Sequence, residues 1–194
     1  MHPHISQLPS RLFYGGQLVD GPNMAIKTQQ PWHSHEKFGT YRFYNVHKGQ
    51  EETTPKQSLK NVAETQVAVA LFQSLRREFS AINLDLRVGV VSMYSAQVAE
   101  LRRQFSSRFG ADITEKVNFH TVDGFQGQEK DVIILSCVRA GPGLQNVGFL
   151  AGARVIAPHY QYSSLFRYPA DERLIDPSKV LLVHFGKRCH PREK

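Results

Sequence analysis

The sequence predicts an α/β fold in which helices pack on a mostly parallel β-sheet. Two long segments have the apolar spacing of amphipathic helices, and each is flanked by runs typical of strands. The order strand, helix, strand, helix, strand, strand along residues 40–140 favours parallel strands joined by helices. The run at 131–138 is apolar on both faces, which is typical of a strand covered on both sides.

The two helices are predicted from apolar residues that recur at spacings of three and four. The first extends from Ser58 to Phe79, with Ser58 as the expected N-cap, and the second begins at Ser95 and stops before Gly110. We expect strands at 40–46, 87–92, 117–122 and 131–138, and a further strand at 180–185. The domain organisation expected from these elements is an entry segment and loop at 1–39, a core at 40–150 and a divergent tail at 151–194.

Composition excludes several classes of protein. The chain has 194 residues, of which 41% are hydrophobic and 21% charged, as in globular domains, and its apolar runs are far shorter than the roughly 18 residues of a membrane span. We expect no signal peptide, and two cysteines cannot build a disulfide framework, so a reducing compartment is expected. A net charge of +7 suggests a polyanionic partner without identifying one.

A polar loop at 120–131, between two predicted strands, is the most informative segment for function. Gly124 and Gly127 let backbone N–H groups approach a phosphate, and Gln126 and Glu129 offer side chains for sugar hydroxyls or a metal-bound water. Ligands of open α/β sheets bind at the carboxyl ends of the strands, so we expect the loop there. Composition alone favours a plain polar hairpin.

The literal sequence of this loop resembles a helicase motif. TVDGFQGQEKDVIILS, residues 121–136, is similar to the motif V region of superfamily-one helicases of the senataxin and nonsense-mediated-decay branch. MHP at residues 1–3 resembles the end of that family's QYRMHP segment, which opens its second RecA-like domain. VVSMYSAQ at 90–97 and CVRA at 137–140 continue the match in the family's order, so the resemblance covers about residues 1–150.

The resemblance implies a RecA-like, P-loop NTPase-type three-layer sandwich, the second helicase domain without its own Walker A segment. The family couples ATP hydrolysis to 5′-to-3′ movement on single-stranded RNA or DNA, with ATP and Mg²⁺ bound between two RecA-like domains. By this resemblance Gln126, Gly127 and Glu129 face the nucleotide, Glu129 through ribose or the metal-bound water in a catalytic role. The expected location is nuclear or cytoplasmic, with the nucleus favoured.

The same resemblance places Thr121 on a nucleic-acid phosphate and Ser92, Met93 and Tyr94 on the single strand. A hydroxyl and backbone amides can hold phosphates without reading sequence, and an aromatic ring can stack on a base. The alternatives are that Tyr94 packs at the entry to a helix and that Thr121 is an ordinary strand residue. We expect no metal site, because the histidines at 2, 4, 33 and 35 lack ordered Cys or carboxylate partners, and we expect Cys137 to be buried.

The sequence departs from the family pattern where catalysis requires it. No G-x-x-x-x-G-K-[ST] segment occurs, Asp171-Glu172 does not follow an apolar strand, and Arg154 is no replacement for the family's arginine motif. We therefore expect no ATP hydrolysis by this chain alone. Truncation or mis-splicing would explain these departures, with residues 151–194 non-homologous and poorly packed; the alternative is a stand-alone, non-catalytic nucleic-acid or protein-interaction module.

Overall fold

The structure is a computed structural model that describes residues 2–46, 49–139 and 180–185. In chain order its elements are α1 (Pro3–Phe13), α2 (Met24–Lys27), a 3₁₀ turn (Pro31–Ser34), β1 (Tyr41–Asn45), β2 (Glu52–Thr53), β3 (Leu59–Lys60), α3 (Val62–Glu78), β4 (Val88–Ser92), α4 (Ser95–Phe109), α5 (Ile113–Lys116), β5 (Val117–Thr121), a second 3₁₀ turn (Asp123–Phe125), β6 (Val132–Ser136) and β7 (Val180–Phe185).

The main sheet of the described residues has the strand order β1-β7-β6-β4-β5. Strand β4 pairs in parallel with β5 on one side and with β6 on the other. Strand β7 is antiparallel to both of its neighbours, β6 and β1, so it alone runs against the other four. The predicted α/β fold with a mostly parallel sheet is therefore confirmed, and the small β2-β3 ribbon lies apart from this sheet.

Both faces of the central strands are covered, because their residues alternate between two apolar clusters. Val90 and Ile134 belong to the larger cluster, together with α3 residues such as Phe72 and α4 residues such as Leu101. The intervening residues of β4 and β6 belong to a smaller cluster on the opposite face. This alternation follows from the twofold side-chain period of a strand. It confirms the prediction that the run at 131–138 contains a strand covered on both sides, and the structure shows that the strand predicted at 87–92 is its parallel neighbour.

Helix α3 starts later than the sequence predicted. Its N-cap is Asn61, whose side-chain oxygen accepts a hydrogen bond from the backbone N–H of Glu64 at 3.2 Å. The expected N-cap Ser58 instead precedes strand β3, and its hydroxyl accepts from the N–H of Ala96 in the first turn of α4 at 3.1 Å. The prediction for Ser58 was wrong because the residue caps a neighbouring helix across space rather than the helix that follows it.

The tail contributes a strand to the interior of the sheet. We expected residues 151–194 to pack poorly, yet the backbone of β7 pairs with β1 and β6 along its whole length. That expectation is wrong for residues 180–185, because these strand-forming residues hydrogen-bond to the edges of β1 and β6 that face each other. The predictions made for Arg154 and for Asp171-Glu172 fall outside the described residues.

Candidate functional site

The carboxyl ends of three parallel strands meet at one edge of the sheet. In the strand register, Ser92 at the end of β4 lies opposite Thr121 of β5 on one side and Ser136 of β6 on the other. Met93 and Tyr94 follow Ser92 directly, and the segment from Cys137 follows Ser136. Four of the residues predicted to contact nucleic acid are therefore brought together here, and we call this line the carboxyl edge.

Thr121 and Met93 are partly exposed at the carboxyl edge. The hydroxyl oxygen of Thr121 accepts a hydrogen bond from the N–H of Gly124 at 3.2 Å, which starts the 3₁₀ turn after β5. The same hydroxyl can also donate a hydrogen bond, and a phosphate oxygen can accept it. Met93 packs in part against the smaller apolar cluster and presents the rest of its side chain outward. These two residues are available for contact with a ligand.

Ser92 is not available, contrary to the prediction from the resemblance. It is completely buried, and its hydroxyl donates to the carbonyl oxygen of Ser136 at 2.9 Å. A buried hydroxyl that leaves its acceptor would lose its hydrogen bond without gaining water. The structure therefore assigns Ser92 to holding the ends of β4 and β6 together.

Tyr94 is also buried, with 9% of its surface exposed, and it occupies the N-cap position of α4. Burial raises the pKa of its phenol, and the positive charge of the nearby Arg139 guanidinium acts in the opposite direction. An aromatic ring that stacks on a base must present an open face, which a side chain buried to this extent does not. The alternative interpretation, a packing residue at the helix entry, is the one that the structure supports.

The polar loop between β5 and β6 is a crossover rather than the hairpin that composition favoured. Because β5 and β6 lie on opposite sides of β4 and both run parallel to it, the chain must cross a face of the sheet between them. Phe125 fills this crossing: it is 2% exposed, and two of its ring carbons lie 2.9 Å from where a Cβ on Gly89 would stand. The absence of a side chain at Gly89 is therefore what lets the loop lie on β4.

The second half of the loop lies toward the amino ends of the strands. The Gln128 carboxamide accepts from Asn118, the second residue of β5, at 3.4 Å, and Lys130 donates to the carbonyl of Leu86, just before β4, at 2.9 Å. The expectation that the whole loop lines the carboxyl edge was wrong, because a parallel crossover must return to the amino end of the next strand. Gln126, Gly127 and Glu129 are exposed there, separate from Thr121 and Met93.

Gln126, Gly127 and Glu129 fit only part of an adenine nucleotide with its Mg²⁺. The exposed carboxylate and carboxamide suit ribose hydroxyls or a metal-bound water. Gly127 has a φ of +79°, and no heavy atom lies within 4 Å of where its Cβ would stand, so a ligand can approach its backbone. A cradle for the β- and γ-phosphates needs the Walker A segment that the sequence lacks. These residues can contact the nucleotide, and no hydrolysis step follows from them.

A buried polar network behind the carboxyl edge escaped the sequence analysis. Its members Asn61, Glu64, Thr65 and Gln97 on the two helices are completely buried, as is Ser136 of β6. The Gln97 carboxamide donates to the hydroxyls of Thr65 at 3.1 Å and Ser136 at 2.8 Å, and its oxygen accepts from the N–H of Asn61 at 2.7 Å. The sequence signal was an N-cap pattern, an Asn followed three residues later by a Glu before an apolar run.

Glu64 is the ionisable group of this network. Burial raises the pKa of its carboxyl to about 7, although hydrogen bonds from the Ser136 hydroxyl and from the Val138 and Cys137 backbone act in the opposite direction. Cys137 is completely buried, as the sequence predicted, and burial raises the pKa of its thiol. The cost of burying this carboxyl group is offset in part by the hydrogen bonds that its oxygens accept from Ser136 and Val138 at the end of β6.

Three histidines near the amino terminus form the remaining cluster of possible metal ligands in the described residues. The imidazole rings of His2, His4 and His33 lie close together, with centroids 4.9 Å apart for the first pair and 5.2 Å for His2 and His33. However, no group of three or more His, Cys, Asp or Glu side chains in the described part of the chain could hold a metal ion. None of the helices described there is long and apolar enough to cross a membrane.

Comparison with known proteins identifies the family. A family model described as AAA domain matches residues 1–157. The chain is 42% identical over 156 residues to Helicase SEN1 of Saccharomyces cerevisiae, covering 79% of this chain and 7% of that protein. It is 43% identical over 154 residues to Helicase sen1 of Schizosaccharomyces pombe, covering 79% of this chain and 9% of that protein.

A third relative is the 5'-3' DNA helicase ZGRF1 of Mus musculus, 36% identical over 150 residues, which cover 77% of this chain and 7% of that protein. The chain thus spans less than a tenth of the length of each of these three relatives. Because the family model matches well over half of the chain, the chain belongs to the AAA domain family, as a helicase domain of the superfamily-one, senataxin type.

Proposed function

We propose that this chain forms the second RecA-like half of an ATP-dependent 5′-to-3′ RNA/DNA helicase and contributes part of its single-strand groove. The observation that carries the proposal is the placement of Thr121 and Met93, partly exposed, at the carboxyl ends of paired strands. Ligands of open α/β sheets bind at that edge. The direction of movement is proposed from the family resemblance and from the printed name of the mouse relative.

The groove holds the strand without reading its sequence. The Thr121 hydroxyl donates to a backbone phosphate, and the Met93 side chain packs against a sugar or base. The buried side chains of Ser92 and Tyr94 stabilise the carboxyl edge by packing inside the protein and do not contact the nucleic acid. The proposed partner is therefore single-stranded RNA or DNA, and the senataxin-type resemblance favours the nucleus as the location.

Gln126, Gly127 and Glu129 form one wall of the nucleotide cleft in this proposal. Bound ATP with Mg²⁺ supplies the phosphoryl-transfer chemistry that drives movement. The exposed Glu129 carboxylate accepts from ribose hydroxyls or a metal-bound water, and the open backbone at Gly127 lets the ligand come close. The phosphate cradle belongs to the first RecA-like domain of the family.

Strand binding is tested by fluorescence anisotropy with a labelled single-stranded oligonucleotide and the 194-residue chain. We expect weak binding that falls steeply with salt, because phosphate contacts dominate such interfaces. Thr121→Ala removes about one hydrogen bond, about a fivefold loss in affinity. Thr114→Ala is the matched control, because Thr114 is an exposed threonine in α5, before the amino end of β5. Equal affinities for the two variants would remove Thr121 from the groove.

A non-catalytic module that keeps the helicase fold is the second candidate, because the sequence has no Walker A segment. To separate the two, the first RecA-like domain and arginine motif of the Saccharomyces cerevisiae relative are joined to this chain. RNA-stimulated phosphate release, lost in Glu129→Ala but kept in Glu115→Ala, supports the helicase. Phosphate release that never exceeds that of the added parts alone supports the module.

A further inference from the structure

Glu64 holds the end of β6 from inside the protein. One carboxylate oxygen accepts from the hydroxyl of Ser136 at 2.5 Å and from the N–H of Val138 at 3.0 Å, and the other accepts from the Asn61 carboxamide at 3.3 Å. Asn61 also donates to the carbonyl of Val138 at 3.1 Å. Both backbone polar groups of Val138 are therefore bound to α3 side chains, and we call Asn61 and Glu64 the α3 clamp.

The clamp holds a strained turn. Val138 has a φ of +72°, which is unusual for a β-branched residue, and the N–H of Arg139 donates to the carbonyl of Cys137 at 2.8 Å across it. A hydrogen bond from residue i+2 to residue i about a positive φ is a γ-turn in its rarer, strained form. Such strain persists only where the surroundings hold it, and it concentrates at functional sites. Here the surroundings are Asn61 and Glu64.

The turn directs Arg139 to the carboxyl edge. The guanidinium Nε lies 3.5 Å from the carboxylate of Glu51, and the guanidinium is close enough to the Tyr94 phenol to lower its pKa against the effect of burial. The Arg139 side chain is 16% exposed. It lies near Tyr94, which follows Met93 in the chain. A guanidinium at this place adds a charged donor to an edge whose other available contacts, Thr121 and Met93, are neutral.

We propose that Arg139 contacts a backbone phosphate of the bound strand and that Glu64 is its positioning residue, acting through the γ-turn at Val138. This proposal rests on the proposed function, since the strand it names is the one in the carboxyl-edge groove. Glu64 itself touches no ligand. Its carboxylate fixes the Val138 peptide, and that peptide sets the direction in which Arg139 leaves the sheet.

The binding experiment uses the 194-residue chain, a labelled single-stranded oligonucleotide and a series of salt concentrations. Arg139→Ala lowers affinity about tenfold, as for a charged hydrogen bond. It also reduces the slope of log affinity against log salt by about one, as for a lost phosphate contact. Glu64→Gln, which keeps the side-chain shape, lowers affinity and slope in the same direction. The double variant binds no more weakly than Arg139→Ala alone, because both changes remove one contact.

Glu100→Gln is the matched control, because Glu100 is a buried carboxylate on α4 whose partners are Arg103 and Gln104. It leaves the salt slope unchanged. If Glu64→Gln lowers only the thermal midpoint and keeps the wild-type slope, or if the two losses add in the double variant, Glu64 is structural and the proposal is overturned. Should Glu64→Gln fail to fold, Ser136→Ala removes one donor to the same carboxylate and takes its place.

A second measurement separates this proposal from the proposed function. Without nucleic acid, amide exchange at Cys137 and Val138 and the NMR Nε–Hε signal of Arg139 report on the turn directly. Faster amide exchange and a shifted Arg139 signal in Glu64→Gln support the positioning role of Glu64, whether or not the wild-type chain binds a strand. Failure of the wild-type chain to bind a strand defeats the proposed function and the phosphate contact of Arg139. Unchanged exchange and an unchanged signal overturn the positioning role even if the chain does bind.

Discussion

Glu64→Gln should change how the stability of the protein depends on pH. The carboxyl of Glu64 has its pKa raised by burial from 4.5 to about 7. The folded state therefore binds the proton more tightly than the unfolded state, and Glu64 lowers stability progressively as pH rises from about 4.5 to about 7. Each tenfold change in proton affinity corresponds to about 1.4 kcal/mol, so the raised pKa lowers the free energy of unfolding by about 3 kcal/mol in total. This decrease is nearly complete above a pH of about 7.

The assay is urea unfolding of the wild type and Glu64→Gln at pH 5 and at pH 8. Glutamine has no proton to lose, so the free energy of unfolding of the variant, measured relative to wild type, should rise by about 2.5 kcal/mol between the two pH values, since part of the total change already lies below pH 5. His2 and His120, whose pKa values are lowered by burial, act in the opposite direction, but both proteins carry them and the difference cancels. A constant difference between the two proteins across this range would refute the reasoning.

Three further predictions concern other parts of the chain. Gly89→Ala should lower the free energy of unfolding by about 1–3 kcal/mol, because the new methyl group meets the Phe125 ring under the crossover; unchanged urea unfolding would contradict this packing. Leu86→Asn should raise the unfolding midpoint, because Leu86 is 60% exposed at a φ of +60° that asparagine tolerates better; a lower midpoint would count against it. The 194-residue chain alone should release no phosphate from ATP above background, with or without single-stranded RNA, and activity that survives repeated purification would disprove this.

The sequence by itself determined which segments form helices and strands. Apolar spacing identified α4 from Ser95 onward, and short runs of strand-forming residues identified β4, β6 and β7, because these signals are local. The motif at 121–136 indicated the helicase family, because a motif is also a local feature of the sequence. The family model and the helicase relatives confirmed it. The sequence could not show which residues at the carboxyl edge reach solvent.

Tertiary structure alone decided how those segments meet. The antiparallel position of β7 between β1 and β6, the crossing of Phe125 over Gly89, and the capping of α4 by Ser58 each depend on partners far along the chain. Ser92 and Tyr94 became buried, and Glu64 came within hydrogen-bond reach of Val138, only once α3, α4 and β6 had packed together. Strand pairing, burial and buried hydrogen bonds are contacts between distant residues, and no local pattern of residue types specifies them.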